Sequence, residues 1–139
     1  MEQKIREIMT TPALCLDASQ TVQEAARYMR ENDVGDVLVT RNGQLCGIVT
    51  DRDIVVRCIA EGENPDQMRI EQICSQELTT LSPEDAVDDA VARMRDNAVR
   101  RIPVVAEDRV LGIVSLGDLA RERDPRSALG AISSATATR

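Results

Sequence analysis

Gly47-Ile48-Val49-Thr50-Asp51-Arg52-Asp53 is answered further along the chain by Gly112-Ile113-Val114-Ser115-Leu116-Gly117-Asp118. Each copy reads as a short apolar strand ending in a hydroxyl residue, with an aspartate three places on. An apolar residue, Ile54 or Leu119, follows each aspartate, so the carboxylate sits where a helix begins. A hydroxyl and a carboxylate at such a junction can hydrogen-bond a ribose diol, while N–H groups of the first helical turn can face an anion. The same aspartate can also be no more than a helix-start residue favourable to the dipole. Both readings stand at this point.

Working outward from the pair, an offset of 65 residues aligns Ile5 with Ile70 and runs ungapped to Ile54 and Leu119. Of the 50 aligned positions 14 are identical, among them Val22/Val87, Ala25/Ala90, Met29/Met94, Asn32/Asn97, Gly47/Gly112 and Asp53/Asp118. An ungapped match that keeps the hydrophobic face is the mark of an internal duplication. In the first copy, residues 4–9 are predicted helical, with Ile5, Ile8 and Met9 on one face, and Thr10-Thr11-Pro12 stops them. Residues 13–16 read as extended. Asp17 and Gln20 form a predicted capping box that opens a helix running to Asn32. Strands 37–40 and 45–50 flank a tight Asn42-Gly43 turn. Asp53 then opens a helix through Ala60. In the second copy Ser82-Pro83 starts the helix, followed by helix 86–97, strand 101–105, a Glu107-Asp108 turn, strand 110–115 and helix 118–123.

The fold class that follows is mixed α/β (α+β): two tandem β-α-β-β-α repeats packed as one pseudo-two-fold module, because one repeat alone buries too little surface. The predicted bounds are 3–62 for the first repeat, 63–69 for a linker and 70–124 for the second. Residues 125–139 are predicted to be a disordered tail, with Leu129 and Ile132 as weak docking points. Paired clefts are expected in the groove between symmetric halves.

Composition narrows the function. The formal net charge is -7, Phe and Trp are absent, and Tyr28 is the one aromatic residue. A polyanion partner needs a basic surface and single-strand binding needs aromatic platforms, so a nucleic-acid partner is not expected. Histidine is absent, which removes His acid–base catalysis and His metal sites. Cys15, Cys46, Cys58 and Cys74 contain no close pair of zinc or redox spacing and read as buried or semi-buried free thiols. With no bilayer-length apolar run and no leader pattern, the expectation is no membrane and a cytoplasmic setting.

The duplicated pattern resembles a tandem pair of cystathionine-β-synthase-type (CBS) domains. The residues that carry the resemblance are Ile8-Met9-Thr10, the stretch from Gly47 through Ile54, Arg100-Arg101-Ile102-Pro103-Val104-Val105, and the stretch from Gly112 through Asp118. It spans about residues 3–123 and is similar to the small stand-alone bacterial proteins of that family. The resemblance implies adenosine-containing ligands (AMP, ADP, ATP or S-adenosylmethionine) in clefts between the repeats, as regulatory ligands and not as cofactors. It implies that Asp53 and Asp118 hold the ribose hydroxyls, that Thr50 and Ser115 bond ribose or the first phosphate, and that Arg101, with Arg100 beside it, reaches phosphate. Parts of residues 13–16, 79–81, 37–39 and 102–104 are implied as adenine walls. The first copy departs from the pattern, since Gly35-Asp36 stands where the second has Arg100-Arg101. A carboxylate there repels phosphate, so the first cleft is expected to take an adenosine without phosphate or to stay empty.

Three functions compete. The leading one is a non-catalytic nucleotide sensor whose occupancy is read by an unidentified partner protein; the second is a structural or interaction dimer with vestigial clefts. An enzyme ranks last, because no base, metal cluster or Walker-type loop is present. The family resemblance implies a homodimer, and so does the sequence after Asp53. There Ile54, Val55, Cys58 and Ile59 fit one buried stripe while the apolar Val56 points away from it, an exposed apolar feature of the kind that marks an interface.

Overall fold

A computed structural model describes residues 3–123. The predicted disordered tail, with Leu129 and Ile132, lies outside the described residues. The described chain is mixed α+β, as expected: β1 (Cys15–Asp17), α1 (Val22–Asn32), β2 (Asp36–Arg41), β3 (Gln44–Thr50), α2 (Asp51–Ile54) continued by a π-type turn (Val55–Ile59), α3 (Val87–Asn97), β4 (Arg101–Ala106), β5 (Arg109–Ser115) and α4 (Leu116–Arg123). Among the described residues no helix is long and apolar enough to cross a membrane.

The compact units do not follow the sequence repeats. One unit is Leu14–Leu78; the other combines residues 3–13 with 79–123. The opening segment of each repeat has therefore changed places with its counterpart. Ile5 is fully buried in the core of the second unit, with Leu81, Val87, Ala90, Met94, Ile102, Val104, Val114 and Leu119. Ile70 is fully buried in the first, with Leu16, Val22, Ala25, Met29, Val37, Val39, Val49 and Ile54. Each core is built from the same positions of the duplication, and their methyl-rich side chains supply the burial that aromatic residues would otherwise bring.

In the first unit β1 runs parallel to β2, which turns back antiparallel into β3 through Asn42 and Gly43 at φ 54 and 79. Two positive φ values in a two-residue loop match the right-handed twist of the flanking strands. Beyond the turn, Val39 pairs with Gly47 and Thr40 with Leu45, leaving Cys46 as a bulge. The second unit repeats the hairpin with Glu107 and Asp108 at φ 53 and 65, and Leu111 as the bulge. There the parallel partner of β4 is reduced to a single bridge, Leu81 to Val104.

Both long helices start later than predicted. Asp17 and Gln20 make half of the expected box: the Asp17 N–H donates to Gln20 Oε1 at 3.0 Å, but Asp17 Oδ1 accepts from the Ser19 N–H at 2.9 Å and the Gln20 N–H donates to the Asp17 carbonyl at 3.0 Å. The helix nevertheless begins at Val22, capped by Thr21 with Glu24. The carbonyls of the earlier turn go elsewhere, Gln20 O accepting from the Ile70 N–H at 2.9 Å and Ala18 O from Glu71 at 3.2 Å. The second copy behaves identically. Ser82 and Asp85 close a turn, Asp85 O and Pro83 O accept from Ile5 and Arg6 at 2.9 and 3.1 Å, and α3 starts only at Val87. Carbonyls already bonded to a distant segment cannot propagate the i→i+4 ladder.

The segment after Asp53 also corrects the expectation. Ile54 and Cys58 are buried, but Val55 and Ile59 join Val56 as exposed. The N–H of Ala60 donates to Val55 O at 2.8 Å, an i→i+5 bond that widens the turn.

Candidate functional site

Each strand end passes into its helix through a reciprocal box. Thr50 is the N-cap of α2: the Asp53 N–H donates to Thr50 Oγ1 at 3.0 Å, and the Thr50 N–H donates to Asp53 Oδ2 at 2.9 Å. In the second unit the Asp118 N–H donates to Ser115 Oγ at 3.1 Å and the Ser115 N–H to Asp118 Oδ2 at 2.9 Å. The hydroxyl residue therefore stands just before the helix, and the aspartate is the third helical residue instead of the first, as the sequence reading had it for both Asp53 and Asp118. The two sequence readings of the aspartate turn out to be compatible. Helix capping consumes Oδ2 and fixes the rotamer, which leaves Oδ1 as the oxygen able to bond something else.

What Oδ1 meets differs between the units. In the second unit Arg121, one turn on along α4, makes a charge-assisted hydrogen bond to Asp118 Oδ1, and Thr10 Oγ1 stands 3.5 Å from both carboxylate oxygens. Asp118 is the buried charged residue of the described chain, with its side chain 6% exposed against 37% for Arg121. In the first unit Arg57 Nε lies 3.7 Å from Asp53 Oδ1, outside hydrogen-bonding range, while Arg57 Nη1 donates to the Ile73 carbonyl at 3.1 Å. Asp53 is correspondingly more open, at 16%.

Strand register places the next charges. Arg101 pairs with Ser115 across β4 and β5, and Asp36 pairs with Thr50 across β2 and β3. Directly opposed residues of an antiparallel pair share a face of the sheet. The hydroxyl residue is thus paired with an arginine in one unit and with an aspartate in the other. Arg100 is placed differently. Its carbonyl accepts from the Leu116 N–H at 2.8 Å, and its side chain lines an apolar groove of about 580 Å³ with Val91, Met94, Val99, Leu116 and Leu119. Alternation along the strand start sends Arg100 and Arg101 to opposite sides. Of the six residues expected at the site, Ser115 and Asp118 are bonded to each other in one unit with Arg101 on the neighbouring strand, Thr50 and Asp53 are bonded to each other in the other, and Arg100 lines the groove.

Of the expected adenine walls, Leu16, Leu38, Val39, Leu81, Ile102 and Val104 are core residues, and Ala13, Cys15 and Thr79 remain partly open. Sequence reasoning had not given Thr10 or Arg121 a role at the site. Thr10 had a signal, because the residue 65 places on is Ser75, a second hydroxyl at the same point of the repeat. Both lie in segments bridged to the inner strand, Thr10 to Ile113 and Ser75 to Ile48. The bridges explain the invariant pair of glycines: a Cβ on Gly112 would stand 2.7 Å from Thr10 O, and one on Gly47 would stand 2.8 Å from Ser75 O and from Cys74 Sγ. Arg121 had only the weaker signal of an i+3 spacing from Asp118.

The four cysteines are free thiols, Cys58 and Cys74 buried and Cys15 and Cys46 partly so. Burial pushes the pKa of every one of them upward. Among the described residues no group of three metal-ligating side chains is gathered.

Comparison with known proteins bears on this geometry. The family model of the CBS domain matches residues 5–59 and again residues 70–124. The CBS domain-containing protein YhcV of Bacillus subtilis is 38% identical over 116 residues, 84% of this chain and 82% of its own length. The crystal structure of Hypoxic Response Protein I with two coordinated zinc ions superposes with a TM-score of 0.79 at 31% identity, covering 86% of this chain and 98% of that one. The CBS domain pair of protein MJ0100, in complex with 5-methylthioadenosine and S-adenosyl-L-methionine, superposes with a TM-score of 0.78 at 23% identity, over 91% of this chain and all of the other.

Proposed function

We propose, because this chain belongs to the CBS-domain family and carries a tandem CBS pair, that it is a regulatory module whose boxed aspartates bind adenosine-containing ligands without catalysis. The observation that carries the reading is the doubled hydroxyl–carboxylate box, in which Oδ2 is spent on the backbone and Oδ1 is held in a fixed direction beside the strand end. A ribose diol donates to such an oxygen, and the rotamer is set before the ligand arrives. The MJ0100 pair supports the choice of ligand class at the level of the fold, since it holds two adenosine-containing molecules. The two units are read as unequal: Arg101 opposite Ser115 favours phosphate, and Asp36 opposite Thr50 opposes it.

Occupancy of the sites is read as the signal, passed to a partner protein. Assembly with a second copy goes with this reading, because both units expose apolar surface: Val55, Val56 and Ile59 in one, Val91, Val99 and Leu116 in the other. The same surfaces favour the second reading, a dimer that works only by assembly. A thermal-shift series with AMP, ADP, ATP and S-adenosylmethionine separates the two, since a ligand of the native state raises the melting temperature by mass action.

The direct test is titration calorimetry of AMP into wild type and Asp118→Ala. Loss of a hydrogen bond to a charged group is worth about 1.5–3 kcal/mol, roughly a 10- to 150-fold weakening. Equal affinities would remove Asp118 from the site. Chromatographic loss of nucleotide during incubation would replace the binding reading with a catalytic one.

A further inference from the structure

We propose that Arg121 guards the Asp118 carboxylate and yields it preferentially to an anionic nucleotide. The ribose of a 5′-phosphorylated adenosine takes Asp118 Oδ1, and the displaced guanidinium takes the phosphate. The inference rests on the reading of Asp118 as a ribose-binding residue and adds to it the ligand class of this unit and the residue that selects it.

The argument begins with the unequal mobility of the two partners. Asp118 is buried and its Oδ2 is tied to the Ser115 N–H, so the carboxylate keeps its place. The Arg121 side chain is partly exposed on a long stem, so of the two partners the guanidinium has the greater freedom to move. It occupies the oxygen that a diol needs. A neutral nucleoside must break a partly desolvated ion pair and offers the released Arg121 no anion in return, which is unfavourable. A nucleotide breaks the same pair but supplies a phosphate that can accept the guanidinium fork. Arg101 on β4, opposite Ser115, brings a second guanidinium to the same strand end. The exchange therefore moves one cation from a carboxylate to a phosphate, and the Asp118 carboxylate takes the ribose hydroxyls as donors in place of the guanidinium.

The first unit lacks the device. The duplication aligns position 121 with Val56, which has no charge. Its nearest cation, Arg57, is held by the Ile73 carbonyl and stands outside hydrogen-bonding range of Asp53. Discrimination for phosphate is thus a property of the second unit, set by a residue outside the duplicated pattern.

The experiment follows the Ser115 and Asp118 backbone amides by nuclear magnetic resonance while AMP or adenosine is titrated into wild type, Arg121→Gln, Arg121→Lys and Arg101→Gln. These amides report on the second unit alone, and unchanged distant resonances show that each variant is folded. Arg121→Gln is expected to bind adenosine more tightly than wild type and to lose about tenfold of the AMP-over-adenosine preference, the scale of one charge-assisted hydrogen bond. Arg121→Lys, which keeps the charge without the fork, falls between. Arg101→Gln weakens AMP without tightening adenosine. If Arg121→Gln weakens both ligands equally, or leaves both affinities and their ratio as in wild type, the guarding role is overturned while ribose binding by this unit stands. Weaker AMP with unchanged adenosine makes Arg121 an ordinary phosphate contact and also overturns it. If neither ligand moves these amides in any of the proteins, the binding reading falls with it.

Discussion

Replacing Gly112 with alanine tests how closely residues 9–11 are laid against β5, and with them the placement of Thr10 at the site. The backbone of Gly112 lies outside the left-handed region, so alanine meets no conformational penalty and the cost is steric. The new methyl would stand 2.7 Å from Thr10 O, 3.0 Å from Thr11 Cγ2 and 3.1 Å from Met9 Sδ. The nearest of these is a backbone oxygen fixed by the bridge in which the Thr10 N–H donates to Ile113 O at 2.8 Å and the Ile113 N–H donates to Thr10 O at 3.1 Å. Reaching an ordinary contact near 3.4 Å requires the segment to retreat by about 0.7 Å. Overpacking of this kind costs about 1–3 kcal/mol, and opening the bridge adds about 1 kcal/mol for each of its two bonds. A total of roughly 3–5 kcal/mol lowers the melting temperature of a chain this size by roughly 10–17 °C. Gly62→Ala is the contrasting control. Gly62 has φ +76 and nothing within 4 Å of the added methyl, so it loses only about 1–2 kcal/mol through backbone strain. Differential scanning calorimetry on the three proteins decides the matter. A Gly112→Ala melt within about 2 °C of wild type, a range that corresponds to less than the lower bound of overpacking, would show that the segment is not held at this spacing.

Three further outcomes are expected. Arg101→Ala should weaken AMP or ATP far more than adenosine in calorimetry, because Arg101 faces Ser115 from the neighbouring strand; an equal loss for adenosine would make it structural. Val56→Glu places a charge in the exposed Val55, Val56 and Ile59 surface and should shift the protein toward monomer in light scattering while circular dichroism stays native. A wild type already monomeric at micromolar concentration would refute the dimer, and an unchanged mutant would move its interface. Iodoacetamide should modify Cys58 and Cys74 slowly near neutral pH and rapidly after denaturation, since burial raises both thiols and shields them. Fast labelling of the native protein would contradict their placement in the core.

Much of this architecture is present in one dimension. The 65-residue offset pairs Leu16 with Leu81, Val22 with Val87, Met29 with Met94 and Val49 with Val114, and these pairs fill corresponding places in the two cores. The turns at Asn42-Gly43 and Glu107-Asp108, the hairpins beside them, and the hydroxyl–carboxylate spacing were legible for the same reason. Period and spacing are local, and a duplicated chain states them twice. The site was legible as far as Thr50, Asp53, Ser115 and Asp118, whose mutual bonds span three residues. It was not legible at Thr10, whose approach to Asp118 crosses 108 residues of chain.

The sequence by itself determined the repeat, the apolar positions and the residues of each box, because these depend on contacts within a turn or a hairpin. Tertiary structure decided which segment completes which core. Ile5 and Ile70 are identical in sequence and equally apolar, and nothing local says that each is buried in the other repeat's unit. The same long-range pairing moved the helix starts. Asp17-Gln20 and Ser82-Asp85 satisfy local rules for beginning a helix, but their carbonyls bond to Ile70, Glu71, Ile5 and Arg6, and a carbonyl spent on a distant N–H is not available to the next turn.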